Sequence, residues 1–377
     1  MELLCRGTLD DRAEIIDFGN YVFSYSHEPH DFVTLVPRLY GKGQHSEPYH
    51  YLMKEDGRIK AMVCAYPMRW MVGDTELKMS FIGTVSVHPY ARSRGYMKRL
   101  MAAALEDMRR EGYHLTSLGG QRQRYRYYGY ELSGVEYRFT VNQSNLRDSF
   151  QKVEPLTVLP LEEKDAGKAA ALYQERRVRG VRSPEEFYLM LHNWASVPYG
   201  LYHNSTFVGY GVVGGQTIYE LVLCGEEYLL PAVKGLMTAL DRRNVRISVP
   251  EYFQERIALL SDVCEEYAVE PNHNFQIFDY PAVIRAYLAL KGQYCTLADG
   301  DCCLEMEGKS IEVSVKNGAV TVTECAGKTP DVSLTGPEAV AFLSAPISAK
   351  RMALQKRMPF LDSWFPLPVY VDSVDAC

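Results

Sequence analysis

The chain has no apolar run near the roughly 20 residues that a membrane-spanning helix needs. Its first residues, Met1-Glu2-Leu3-Leu4-Cys5-Arg6, lack the layout of a signal peptide. The expectation is a cytoplasmic protein with no membrane partner. Positive charge is not in excess either: 41 Lys and Arg against 47 Asp and Glu leave a formal net charge of −6, and the sequence pI is near 5.9. That balance argues against nucleic acid as a partner. The nine cysteines are scattered, odd in number and without a Cys-x-x-Cys pair, so reduced thiols are expected in place of a disulfide framework. A metal-ligand constellation is also missing. His27-x-x-His30-Asp31 has no third partner at a recognisable spacing, and no metal is expected.

What the chain does have is length and apolar content, 377 residues at 47% hydrophobic, enough for two or three domains with real cores. Its most informative stretch runs from Phe81 to Tyr130. Alternation at Val85 and Val87 predicts a strand that Pro89 ends. After Gly95 the set Met97, Leu100, Met101, Ala104, Leu105 and Met108 recurs at helical spacing until Gly112. Between them lies a short basic turn, Arg92-Ser93-Arg94-Gly95. A strand, a glycine turn and a helix start make an anion site, because first-turn amides have no internal partner and the helix dipole adds positive potential there.

The spacing Arg92-x-x-Gly95 after Val-x-Val-x-Pro resembles the acetyl-coenzyme A loop of the GNAT superfamily of N-acetyltransferases. Met97 stands where that family pattern has a small residue. Tyr125-Arg126-Tyr127-Tyr128-Gly129-Tyr130, after a strand expected at His114 to Leu118 and the pair Gly119-Gly120, is similar to the family's Tyr-x-x-x-Gly-Phe/Tyr segment. Residues 1–150 then read as a catalytic GNAT unit. Residues 151–290 repeat its order, with a hairpin at Asn204-Ser205, a strand at Thr217 to Leu223 and a helix at Leu230 to Leu240. Here the turn is Cys224-Gly225-Glu226-Glu227-Tyr228, whose two acids would repel a pyrophosphate. Residues 291–377 carry short strands, an Asn317-Gly318 hairpin turn and the tail Phe365-Pro366-Leu367-Pro368, an order that resembles a sterol carrier protein domain.

Taken together, the chain resembles the enhanced intracellular survival (Eis) family. The implied fold class is α+β (α/β): tandem GNAT-fold domains with mixed, mostly antiparallel sheets, followed by a sterol carrier protein-like α/β domain. The implied co-substrate is acetyl-CoA, lying against the backbone of Val85, Ser86 and Val87. Its pyrophosphate would sit on the loop of Ser93, Gly95, Tyr96, Met97 and Lys98, with Arg92 and Arg94 near the phosphates.

The implied reaction is direct acetyl transfer to a primary amine through a ternary complex, with an aminoglycoside, a polyamine or a lysine side chain as acceptor. Tyr125 is the implied general acid, with Tyr127 and Tyr128 in reserve and Tyr130 assigned to packing. The implied base is the carboxy-terminal carboxylate of Cys377, with Asp375 as a substitute. The resemblance also implies a homo-oligomer, a hexamer in that family. A lipid or hydrophobic-ligand carrier with a vestigial acetyltransferase fold is the alternative.

Overall fold

Three sheets carry the architecture. The structure, a computed structural model, describes residues 1–26, 28–325 and 327–376. The first sheet runs in the order Glu2–Arg6, His50–Glu55, Arg58–Val72, Thr75–Val87, Leu115–Leu118, His273–Ile277 and Glu131–Ser133, and the short strand Val178–Gly180 pairs with the far end of Arg58–Val72. Its hairpin turns sit where turn chemistry predicts. Asp56 and Gly57, for example, both take positive φ, the geometry a two-residue turn needs to match strand twist.

The seven-stranded second sheet is built around Val197–His203, Thr206–Gly214 and Thr217–Leu223, and its hairpin turns at Asn204 and Ser205, again both with positive φ. The third sheet has four strands, among them Gly300–Met306, Lys309–Lys316 and Ala319–Glu324. The mixed α/β class with mostly antiparallel sheets is thus as the sequence predicts. No helix among the described residues is long and apolar enough to cross a membrane.

Sheet membership does not follow chain order. Glu136–Asn142 leaves the first sheet and pairs with Asn244–Pro250 and Glu266–Glu270 in the second. In return, His273–Ile277 inserts antiparallel between Leu115–Leu118 and Glu131–Ser133 of the first. Backbone amides and carbonyls that would otherwise stand on open edges are satisfied by distant chain, as where Asn274 pairs with Leu118 and Asn244 with Asn142. The two sheets therefore form as a pair.

The helix Tyr96–Arg110 buries Leu100, Met101, Ala104, Leu105 and Met108 as the spacing predicts. These residues pack with Met53, Ala61 and Val63 on one face of the first sheet. The opposite face shares a core with the third sheet: Trp70 and Met79 join Tyr287, Val313 and Trp364 in one cluster. On the solvent side of this helix Arg110 pairs with Asp107, three residues back, and not with Glu106. The spacing of four predicts Glu106, but three-residue neighbours lie equally close on a helix surface.

Candidate active site

The strand Thr75–Val87 pairs in parallel with Leu115–Leu118 only from Met79/Leu115 to Ile82/Leu118. Beyond Ile82 the two strands part. On the other side, Cys64 pairs with Gly83 and Met62 with Ser86, so Thr84 and Val85 together oppose Val63 in a bulge. Thr84 has φ +42, a left-handed backbone that a β-branched residue rarely adopts and that costs about 1–3 kcal/mol. The kink opens a cavity of about 1010 Å³ between the strands.

Most of the residues expected to hold the coenzyme meet at this cavity. Val85, Val87, Arg92, Ser93, Gly95 and Tyr96 line it, as do Met97 and Lys98. Gly95 takes φ +75 as the residue before the helix, a conformation glycine adopts without strain. The first helical closure here is Arg99 N–H on Gly95 O, which leaves the amides of Tyr96, Met97 and Lys98 without intrahelical acceptors. Ser86 instead turns inward and donates its hydroxyl to Thr84 O at 3.0 Å.

Arg94 departs from expectation. Its guanidinium forms two 2.8 Å bonds to Glu55 and a third, at 3.3 Å, to Glu2. Those acids come from neighbouring strands and draw it away from the cavity. Arg92 remains beside the cavity with a single 3.3 Å bond to Ser26 Oγ. We expect Arg92→Ala to weaken acetyl-CoA binding about tenfold, and Arg94→Ala to leave it nearly unchanged. Titration calorimetry of both variants checks the contrast, and equal losses would sink it.

Tyr125 sits in the short helix Arg122–Arg126 and is 6% exposed, yet it lines the cavity. Its ring lies under Gly120, where an added Cβ would come within 2.7 Å of it. Burial raises the phenol above its ordinary pKa and Arg124 only partly opposes this, so the group is protonated at neutral pH. Tyr128 also lines the cavity, whereas Tyr127 is exposed beside Lys98. Tyr130 is fully buried next to Thr116, the packing role the sequence predicts.

Two further residues at the cavity are not signalled by any local motif. His273 arrives on the inserted strand and stands edge-on to Phe81. Desolvation holds its imidazole down at about 4. Asn272 Oδ1 accepts from Val371 N–H at 2.8 Å and lies 2.9 Å from His273 Nδ1. Nδ1 is therefore the protonated nitrogen and Nε2 carries the lone pair.

Trp194 comes from the second sheet's half of the chain, at φ 59 and ψ 39, and its Nε1 donates to Ala376 O at 3.1 Å. Ala376 itself lines the cavity. Cys377, the expected base, lies outside the described residues, as does His27.

The tail is held by a buried ion network. Arg182 donates to Asp375 through Nε at 3.1 Å and Nη2 at 2.9 Å, and to Glu220 through Nη1 at 3.0 Å. Its guanidinium stacks 3.7 Å over Tyr173. Arg176 reaches Asp372 at 2.9 Å, and Asn193 donates to Val374 O at 3.0 Å.

Asp375 cannot substitute as the base. It is fully buried in this network, away from the cavity, and Arg182 holds its carboxyl below the usual aspartate range although burial alone would raise it. Glu220, Asp372 and Asp375 are the one carboxylate group among the described residues close enough to share a metal ion. Two guanidinium groups already occupy that position as counter-ions.

The turn Gly225 to Tyr228 in the second sheet is built differently from its counterpart in the first. Glu226 is paired twice with Arg256, at 3.0 and 2.7 Å, and Arg256 also donates to Leu221 O at 2.8 Å.

A parted strand pair, an open helix start and a buried tyrosine at one cavity agree with what comparison finds. Residues 6–133 match the family model described as Acetyltransferase (GNAT) domain. This segment is a GNAT acetyltransferase domain. Acyl transfer is the chemistry of such a domain, and acetyl-CoA suits its loop.

Across the whole chain the fold is that of solved acetyltransferases. A GCN5-related N-acetyltransferase from Kribbella flavida is 18% identical with a TM-score of 0.69, both chains being covered in full. One from Anabaena variabilis is 15% identical with a TM-score of 0.70, again over 100% of each chain. Eis1 from Mycobacterium abscessus is 14% identical with a TM-score of 0.65, over 100% of this chain and 99% of that one. No curated protein matches the chain.

Proposed function

We propose that the chain is an acetyl-CoA-dependent N-acetyltransferase that passes the acetyl group directly to a primary amine within a ternary complex. The observation that carries the reading is the cavity itself, where the open amides of Tyr96 to Lys98, the protonated Tyr125 and the carboxy-terminal segment at Ala376 converge. The thioester end of the donor lies along the parted strand at Val85 to Val87, and its pyrophosphate lies on the loop with Arg92.

The amine nitrogen attacks the thioester carbonyl, the C–S bond breaks, and Tyr125 gives its proton to the departing thiolate. The ammonium proton leaves to a base, for which the α-carboxylate of Cys377 is our choice because the preceding residue reaches the wall. We read residues 1–150 as the catalytic unit and 151–290 as a GNAT-like unit without a coenzyme loop, with Glu136–Asn142 exchanged into the second sheet and His273–Ile277 into the first. The Glu226–Arg256 pair stands where a loop for phosphate would need open positive charge. Residues 291–377 are read as a sterol carrier-like unit whose tail delivers the terminus, and the assembly as a homo-oligomer.

Steady-state thiol release with acetyl-CoA and an amine varied together tests the mechanism. Intersecting reciprocal plots are expected. Parallel lines, with an acetylated enzyme trapped in the absence of amine, would overturn direct transfer.

A further inference from the structure

Resting on the transfer reading, we infer that the acceptor is a primary monoamine with an apolar, ring-sized body, bound as its neutral free base, and not a polycation. Among the described residues that line the cavity there is no aspartate or glutamate. The charged side chains there are Arg92, Lys98 and Arg124, all cationic. Asp375, one residue before the lining Ala376, is held by Arg182, and Glu131 is held by Arg122 and Arg126. A molecule with several ammonium groups would have to shed water from each without gaining a counter-charge. Val22, Phe23, Phe32, Phe81 and Trp194 add an apolar, largely aromatic part to the lining. Flat rings suit an apolar body.

Two of the polar groups lining the cavity, on Thr84 and His273, offer lone pairs. His50 Nδ1 lies 2.8 Å from Ser46 O, so that nitrogen is the donor and Nε2 the acceptor. Tyr40 OH, 2.9 Å from His50 Nε2, must then donate to it. The same oxygen, 2.8 Å from Thr84 Oγ1, therefore accepts the Thr84 hydroxyl hydrogen. Thr84 Oγ1 is left with lone pairs where its residue lines the cavity. His273 Nε2 is in the same condition, because its Nδ1–H is given to Asn272.

A primary amine has two N–H hydrogens and one lone pair. Giving one hydrogen to Thr84 and the other to His273 leaves the lone pair free for the thioester carbon. The charged side chains lining the cavity are all cationic, and like charge favours the free base over the ammonium ion.

The test is kcat/KM for thiol release by the full chain at saturating acetyl-CoA, with 2-phenylethylamine and hexylamine compared with spermidine and kanamycin. A preference of about 100-fold for the monoamines is expected. Thr84→Val should raise the KM for 2-phenylethylamine while leaving that for acetyl-CoA in place, and Thr84→Ser should restore it.

Equal or better turnover of the polycations would overturn the inference and leave direct acetyl transfer standing. Acetyl-CoA binding by calorimetry with no thiol release from any of the four amines would overturn both.

Discussion

Replacing Tyr125 by phenylalanine is expected to lower kcat for thiol release by about 10²–10⁴-fold while leaving the KM for acetyl-CoA close to its original value. The ring fills the space beneath Gly120 and meets Tyr130 edge-on, with centroids 6.4 Å apart. Phenylalanine preserves both contacts and removes only the phenol oxygen. Loss of the acid raises the barrier for thiolate departure and leaves the binding loop, on a different element, untouched.

Tyr128 lines the same cavity and is the other phenol that could donate. Tyr128→Phe should cost much less, because half-exposed Tyr128 is not clamped under a glycine as Tyr125 is. Equal losses in the two variants, or a loss carried by the KM for acetyl-CoA, would remove Tyr125 from the acid role. A flat kcat between neutral pH and pH 8 is also expected, since burial keeps the phenol protonated there.

Removing the Arg182 guanidinium should destabilise the chain by about 3–5 kcal/mol, the range for breaking a buried ion pair from one side. Both its carboxylate partners are about 1% exposed, so neither Glu220 nor Asp375 can turn to water when it is lost. Arg182→Lys should recover little, because an ammonium cannot span two carboxylates with a planar fork. Arg182→Met combined with Asp375→Leu should recover much of the loss, since the two charges then leave together and Glu220 keeps Arg176 and the 2.6 Å bond from Tyr210.

Urea unfolding of the three variants measures this, and a loss under about 1 kcal/mol for Arg182→Met would overturn it. Acid should have the same effect as the substitution. Arg182 depresses the Asp375 pKa, so the stabilisation is present above the ordinary aspartate value of 3.8 and is lost as pH falls through the lower folded value. Activity should fall further than stability alone explains, because the same network holds the tail that brings Ala376 to the cavity. A variant still folded at the assay temperature should keep acetyl-CoA affinity and lose kcat.

What was legible in the sequence was local. Val85 and Val87, the Arg92-x-x-Gly95 turn and the helix that follows lie within 26 residues, and hydrogen bonding and side-chain period act over that range. Turn residues were equally readable. Asn204-Ser205 and Asn317-Gly318 turn where they do because those residue types tolerate positive φ. Thr217–Leu223 was bounded correctly because an apolar run between two turns leaves little choice.

The failures share one cause. Arg94 looks like a phosphate ligand until Glu55 and Glu2 are brought beside it by strand pairing. Asp375 looks like a free acid near the terminus until Arg182, 193 residues earlier, is found against it. His273 sits in a run with no motif, and Trp194 carries its signal in a left-handed backbone that side-chain pattern does not encode.

By itself, then, the sequence determined the basic glycine turn before the helix, the tyrosine segment and the local order of strands and helices, since each is set by contacts between chain neighbours. Tertiary structure alone decided what lines the cavity. It inserted His273–Ile277 into a sheet begun by Glu2–Arg6, used Arg176 and Arg182 to hold the tail, and brought Val22, Phe32, Phe81 and Trp194 from distant segments to one cavity. Those outcomes depend on which distant edges pair and which buried charges find partners. Both are settled by burial free energy over the whole chain and leave no periodicity behind.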